Sequence, residues 1–229
     1  MAISVLGSTP ATDIHNAQVL DAVPQGIKKV VEVGTGSGAL AREILKKFPD
    51  IEYVGVEISE QYRLAAQSWC TRVYLENFEH ASEKLIAELN DTDIVIFADV
   101  LEHFIDPWSA LSRMREALPE RGRVIASIPN VQHWSMHYRL MAGDFRYAET
   151  GLLDRTHLRF FTRQTMIEMF SSSGYHVANI TPRIFAFPHQ DVMLQKIAQV
   201  SQIFGLDSQL AVQDAAAFQF VVTATVSMN

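Results

Sequence analysis

The sequence predicts an α/β protein: one mostly parallel sheet of seven strands, helices on both faces, and a small insert after the fifth strand. Three observations carry this. Lys29-Val30-Val31-Glu32-Val33 is an apolar run that ends in three glycines at alternate positions, Gly34, Gly36 and Gly38, before residues 39–48 take up a helical period. Short apolar runs then alternate with helical segments along the chain, the pattern of a sheet wound with crossover helices. Ile94-Val95-Ile96-Phe97-Ala98 has no polar interruption, as a strand covered on both faces requires.

The elements follow in order. Residues 13–23 read as a short helix ended by Pro24-Gln25-Gly26, and residues 1–24 form an N-terminal helical cover. The first strand, glycine turn and helix end at Pro49-Asp50. Residues 51–57 are the second strand, and Ser59 caps a helix reaching Cys70. Residues 71–75 make a short third strand, 80–89 a helix, and 93–98 the fourth strand. Pro107 sits in the first turn of a helix running to 118. Residues 124–128 are the fifth strand. Thr162 caps a helix over 163–173, stopped by Gly174. Residues 175–181 are a strand, 182–190 a loop, 192–204 an amphipathic packing helix, and 217–226 the last strand.

Composition narrows the function. The chain has 229 residues, 48% hydrophobic and 20% charged, which fits one globular domain spanning 1–229. The net charge of −7 disfavours a nucleic-acid partner, because phosphate binding needs a basic face. One cysteine, Cys70, excludes an internal disulfide. No run is long enough to insert in a membrane, and the N-terminus lacks the pattern of a signal peptide, so a cytoplasmic location is expected. Oligomeric state is not written in these features.

The glycine turn is the centre of the chemistry. Glycines there allow backbone angles and close approaches that a Cβ would block, and a helix N-terminus follows. Gly34-x-Gly36-x-x-Ala39 matches the dinucleotide fingerprint loosely, so a nicotinamide oxidoreductase is one reading. Glu32 pulls elsewhere. An acid at the end of the first strand disfavours a pyrophosphate and suits a cationic ligand, such as the amino group and sulfonium of S-adenosylmethionine. Glu57 ends the second strand about 20 residues past the turn, where a carboxylate accepts from both ribose hydroxyls. Both cofactors carry that ribose.

With Glu32-Val33-Gly34-Thr35-Gly36-Ser37-Gly38, the sequence resembles the class I S-adenosylmethionine-dependent methyltransferases, whose first motif is E/D-x-G-x-G-x-G. Asp99-Val100-Leu101-Glu102-His103-Phe104-Ile105-Asp106-Pro107, Ser127-Ile128-Pro129-Asn130-Val131 and residues 151–162, with Leu153-Asp154-Arg155-Thr156-His157-Leu158-Arg159-Phe160-Phe161, resemble a subgroup that includes glycan-associated and ubiquinone-biosynthesis-type enzymes. The resemblance covers residues 29–175. It implies a Rossmann-like sheet with an antiparallel last strand and S-adenosylmethionine as cofactor, released as S-adenosylhomocysteine. Glu32, Gly34, Thr35, Gly36 and Gly38 are then expected at the methionine end, Glu57 and Ile58 at the ribose, Asn77 and Phe78 at the adenine, and Asp99 and Val100 beside the methyl group. Many relatives have G-D-x-E where this chain has Glu76 and Asn77, so Asn77 is expected to bond the adenine through its amide oxygen.

Residues 130–161 form an aromatic insert expected to frame the site of a small-molecule acceptor. Asn130, Trp134, Tyr138, Asp154 and His157 belong to it; His15, His103 and Phe187 are expected beside it. His103 and His157 are the candidate catalytic bases. His103 also reads as an orienting or helix-packing group, and Asp154, Arg155, His157 and Arg159 also read as a polar clasp holding the insert. No metal is expected, because the histidines sit on different elements. The reading is methyl transfer to oxygen or nitrogen of a sugar precursor, phenol or heteroaromatic compound; a nicotinamide oxidoreductase and a non-catalytic methyltransferase-like binding protein are the alternatives.

Overall fold

In the computed structural model, residues 13–227 are described; the first twelve residues of the expected cover lie outside them. The helices are α1 (Ala17–Ala22), α2 (Ala39–Lys47), α3 (Glu60–Ala66), α4 (Glu83–Ala87), α5 (Pro107–Ala117), α6 (Trp134–Met141), α7 (Arg163–Ser172), α8 (Gln190–Ile203) and α9 (Ser208–Ala216). The strands are β1 (Lys29–Val33), β2 (Glu52–Glu57), β3 (Arg72–Leu75), β4 (Ile94–Ala98), β5 (Arg123–Pro129), β6 (Tyr175–Arg183) and β7 (Gln219–Val226). They form one sheet in the order β3-β2-β1-β4-β5-β7-β6. β1 to β5 pair in parallel, and β7 runs antiparallel to both neighbours, as expected.

Period-two alternation divides the core between the two faces. Val31, Val33, Val95 and Phe97 point to the layer containing α5 and α7, with Leu111, Met114, Met166 and Phe170. Val30, Ile94 and Ile96 point to the layer of α1 and α2, with Val19, Leu40 and Ile44. Caps set several helix starts. The Asp106 side chain accepts from Ser109 N ahead of Pro107, and Thr162 forms a capping box with Thr165. Ser59 holds the cap position of α3 without a side-chain cap bond, and α3 ends at Ala66, short of Cys70.

One reading of the sequence is corrected and one helix is added. Residues 80–89 are not one helix: a 3₁₀ turn at Phe78–His80 and a second at Glu88–Asp91 flank the short α4. Three local caps compete there, with Asn77 and Ser82 each accepting from the backbone and Thr92 donating to Glu88 O. Residues 208–216 form α9, which pattern alone did not reveal; its signal is Asp207, whose carboxylate accepts from Gln209 N and Leu210 N. Among the described residues, no helix is long and apolar enough to cross a membrane.

Candidate active site

β1 and β4 are neighbours, and the connections from their carboxyl ends depart to opposite sides, which opens a crevice there. Gly34, Gly36 and Gly38 follow β1 with φ of 72°, 52° and 82°, conformations that favour glycine. A Cβ on Gly34 would lie 2.5 Å from Val100 Cγ2, so the turn passes tightly over the start of the segment after β4. The turn is tied to β2. Gly34 N and Thr35 N donate to Val56 O at 2.8 and 3.1 Å, and Gly36 N donates to Glu57 Oε2 at 2.9 Å. Glu57 Oε1 accepts from Ile58 N at 2.8 Å and Ser59 N at 2.9 Å. A carboxylate offers about four lone-pair sites, so three are used by the fold and one on Oε2 remains. Ile58 is exposed at the rim.

Glu32 lies under the turn on the face shared with Val30, and only 2% of it is exposed. Its Oε2 accepts from Thr35 Oγ1 at 2.7 Å and Tyr53 OH at 2.9 Å. Burial pushes its carboxyl up to about 7, against those two bonds, and the charge of Glu57 adds to the rise. Burial and Glu32 together raise Tyr53 well above the usual phenol value, so it stays a donor.

Asn77 is exposed past β3, and its Oδ1 accepts from Glu79 N at 2.9 Å. The amide oxygen expected on adenine is therefore engaged in a local cap. Phe78 is buried, edge-on to Phe97 with ring centroids 5.6 Å apart. Asp99 has φ 59°, a left-handed conformation that Asp tolerates better than most residues. Its Oδ1 accepts from Ser127 Oγ and Gln219 Nε2, both at 2.8 Å, and Asn16 Nδ2 donates to Ser127 Oγ at 3.0 Å. This chain pins the turn after β4 to β5, β7 and the start of α1.

A cavity of about 190 Å³ opens beside it, lined by Asp99, Glu102, His103, Asp154, His157 and Phe218 among others. His103 and His157, expected on separate elements, meet there with ring centroids 4.9 Å apart. His103 Nδ1 lies 3.1 Å from Thr156 O, and His157 Nδ1 lies 3.3 Å from Leu152 O. A carbonyl only accepts, so both rings carry their proton on Nδ1 and present an Nε2 lone pair. Thr156 Oγ1 donates to Asp154 Oδ1 at 2.7 Å and lies 3.0 Å from His103 Nδ1. Burial pushes both imidazoles below their usual value. Glu102, quoted within its motif but given no role by the sequence, borders the same cavity. Its carbonyl accepts from Leu158 N at 2.8 Å and Arg159 N at 3.0 Å, latching residues 130–161 over the edge of the sheet.

The other expected acceptor residues divide. Asn130 is fully buried and faces the fold: its Nδ2 donates to Asp214 O and Ala217 O, both at 2.8 Å, and its Oδ1 accepts from Gln132 N. With both ends of the amide engaged, it departs from the expected acceptor contact. Trp134 and Phe187 pack with rings 6.2 Å apart, and both lie against His133, which also meets Phe218 on the cavity wall. Tyr138 is 58% exposed on the outside of α6, away from the cavity lining. His15 precedes the cap of α1, half-buried, and is not part of that lining either.

A larger, shallower depression of about 590 Å³ lies at the opposite edge, among the starts of β1, β2 and β3. Lys29 and Arg72 there are already paired with Glu52 and Glu88, and Lys29 also with Asp91. It is a surface ion network, remote from the glycine turn.

Residues 13–180 match the family model described as "Methyltransferase domain". No curated protein matches the sequence. Among solved structures, the chain is similar to the mitomycin 7-O-methyltransferase MmcR (TM-score 0.58, 15% identity), covering 92% of this chain and 52% of that one, so it spans about half of that relative's length. It is also similar to a possible histamine N-methyltransferase from Thermotoga maritima (TM-score 0.60, 16% identity, 91% and 86% covered). The plantazolicin methyltransferase BpumL, solved with S-adenosylhomocysteine, gives TM-score 0.59 at 13% identity, with 93% and 80% covered.

Proposed function

The chain belongs to the methyltransferase-domain family, and from that footing we propose that it moves the methyl group of S-adenosylmethionine to an oxygen or nitrogen of a small-molecule acceptor. A lone pair on the acceptor attacks the methyl carbon, the carbon–sulfur bond breaks, and the thioether leaves as S-adenosylhomocysteine. The sulfonium supplies its own activation, so the chain's residues bind, align and exclude water. Glu32 and the glycine turn receive the methionine end, Glu57 the ribose, and the Asn77–Phe78 segment the adenine. Asp99 and Val100 border the methyl position. Residues 130–161 cover the acceptor, and His103 and His157 act on it.

One observation carries the reading: the glycine turn, Glu57 and the 190 Å³ cavity share the carboxyl edge of the sheet, joined where Gly34 meets Val100. A sugar precursor, a phenol and a heteroaromatic compound are the acceptor classes in view. Calorimetric titration tests the donor. S-adenosylmethionine or S-adenosylhomocysteine is expected to bind at micromolar affinity, about −8 kcal/mol, with no response to NAD. NAD binding without a response to the methyl donor would overturn the reading.

A further inference from the structure

We propose that the hairpin of α8 and α9 is the contact through which two copies of this chain pair about a two-fold axis. The pairing does not depend on the methyl-transfer reading.

The hairpin connects β6 to β7, and α8 packs on α9 and touches α6. Within α8 only Ser201 is buried. Met193, Leu194 and Ile197 are half-buried and share its inner side. Val192, Val200 and Ile203 recur at i, i+8 and i+11, so they form a second apolar stripe, and this one is exposed. A surface helix of a single chain has one apolar stripe; a helix with two is built to be covered twice. The second stripe runs into the tip of the hairpin, where Ile203, Phe204 and Leu206 are 78%, 75% and 63% exposed. Leu210, in the first turn of α9, is exposed as well. These six residues leave on the order of 600 Å² of apolar surface open, the upper end for the largest patch on an ordinary monomer. Each partner in a stable pair brings roughly 800 Å², and the exposed Gln199, Gln202 and Gln209 extend the face toward that size.

Charge decides what covers this face. The chain carries −7, and α2 alone places Arg42, Glu43, Lys46 and Lys47 in nine residues. On the hairpin the exposed charges are Asp191, Lys196 and Asp207, and the Asp207 carboxylate is turned to cap α9. With Lys196 as its one base, the face lacks the row of Lys and Arg by which an interfacial helix holds an anionic membrane. A strip without a dominant sign also offers no charge pattern to select a different protein. A second copy meets it without like-charge repulsion. The glutamines suit the same partner, because an amide both donates and accepts and can pair with its counterpart across a two-fold axis. The sheet edge does not compete. β6 is the outermost strand, but it is bulged between Val177 and Asn179 and holds Pro182, features that blunt an edge against strand pairing.

Sedimentation equilibrium of the full chain across about 1–100 µM tests the contact. A reversible dimer is expected. Ile203→Asp and, as an independent variant, Val200→Lys set a charge of either sign into the stripe. Each is expected to raise the dimer dissociation constant at least about 30-fold, with the far-UV circular dichroism unchanged, since both side chains are exposed in the single chain. A chain that stays monomeric at the highest concentration overturns the proposal. A dimer that survives both substitutions overturns it too, because the contact then lies elsewhere. Cosedimentation of a monomeric chain with phosphatidylcholine–phosphatidylglycerol vesicles, lost in Ile203→Asp, would assign the face to a membrane instead.

Discussion

Gly36 N donates to Glu57 Oε2 at 2.9 Å, and that bond joins the glycine turn after β1 to the end of β2. Glu57 therefore holds the turn in place, and one acceptor site on Oε2 remains for the ribose of the proposed donor. Glu57→Ala removes both. Donor affinity is expected to fall about 10- to 150-fold, the worth of the one charge-assisted bond that the remaining site can make, roughly 1.5–3 kcal/mol. The apo protein is expected to lose stability as well, by about 1–3 kcal/mol, because three backbone N–H groups lose their acceptor. Titration calorimetry and thermal denaturation read the two effects separately. An unchanged donor affinity with a lowered Tm would leave Glu57 with the turn alone.

Glu32 predicts a pH dependence of known sign. Its folded value, about 7, lies above the ordinary 4.5. Between those limits the folded chain holds the proton more tightly than the unfolded one, so its contribution to stability is full below pH 4.5 and is lost as pH rises through 7. The slope reaches about 1.4 kcal/mol per pH unit at most. Glu32→Gln keeps an oxygen for Thr35 and Tyr53 and is expected to flatten that fall in urea denaturation at pH 5 and 8. A cationic donor favours the carboxylate, so its affinity is expected to rise from pH 6 to 8 in the parent chain and not in the variant. Equal slopes in the two proteins would remove Glu32 from both effects.

Gly34→Ala is expected to destabilise the chain by roughly 1–3 kcal/mol, from the left-handed backbone and the collision with Val100. The double substitution Gly34→Ala, Val100→Ala relieves the collision and keeps the backbone strain. It is expected to be more stable than Gly34→Ala in the Val100→Ala-corrected cycle. A cycle with no coupling would mean that the turn and the segment after β4 move apart at no cost.

Asn130→Ala is expected to cost about 2–4 kcal/mol, since a fully buried amide serving two carbonyls and one N–H disappears. Donor affinity is expected to stay within a few fold. The same variant tests the role expected from the sequence. A stable Asn130→Ala protein with impaired acceptor binding would return the residue to the acceptor site.

His103→Ala and His157→Ala identify the acceptor class. If the acceptor is a hydroxyl, at least one of them is expected to lower kcat about 100-fold or more, because the oxygen must lose its proton during attack. A ring nitrogen already offers its lone pair, and both variants then keep kcat within about tenfold. Single-turnover transfer with each variant and the best acceptor found decides the matter. A hydroxyl acceptor methylated at the parent rate by both variants would leave the pair with a packing role.

Much was legible in the sequence because it is local. Strand and helix periods, glycines at positions needing left-handed φ, and Pro107 or Thr162 at helix starts are set by a few neighbouring residues, and the sheet followed from them. The glycine turn and Glu57 were legible for the same reason: each closes a strand, and parallel strands end at one edge. What the sequence could not determine is where side chains far apart in the chain meet. Asn130 stands in a motif beside the expected acceptor, yet the return of β7 and α9 surrounds its amide with carbonyls. His103 and His157 lie on different elements, and the latch of residues 130–161 onto Glu102 brings their rings together. Glu102 passed as one letter of a motif. Only the packed fold, which buries Glu102 with no hydrogen-bond partner for either oxygen among the described residues, pushes that carboxyl well above its usual value.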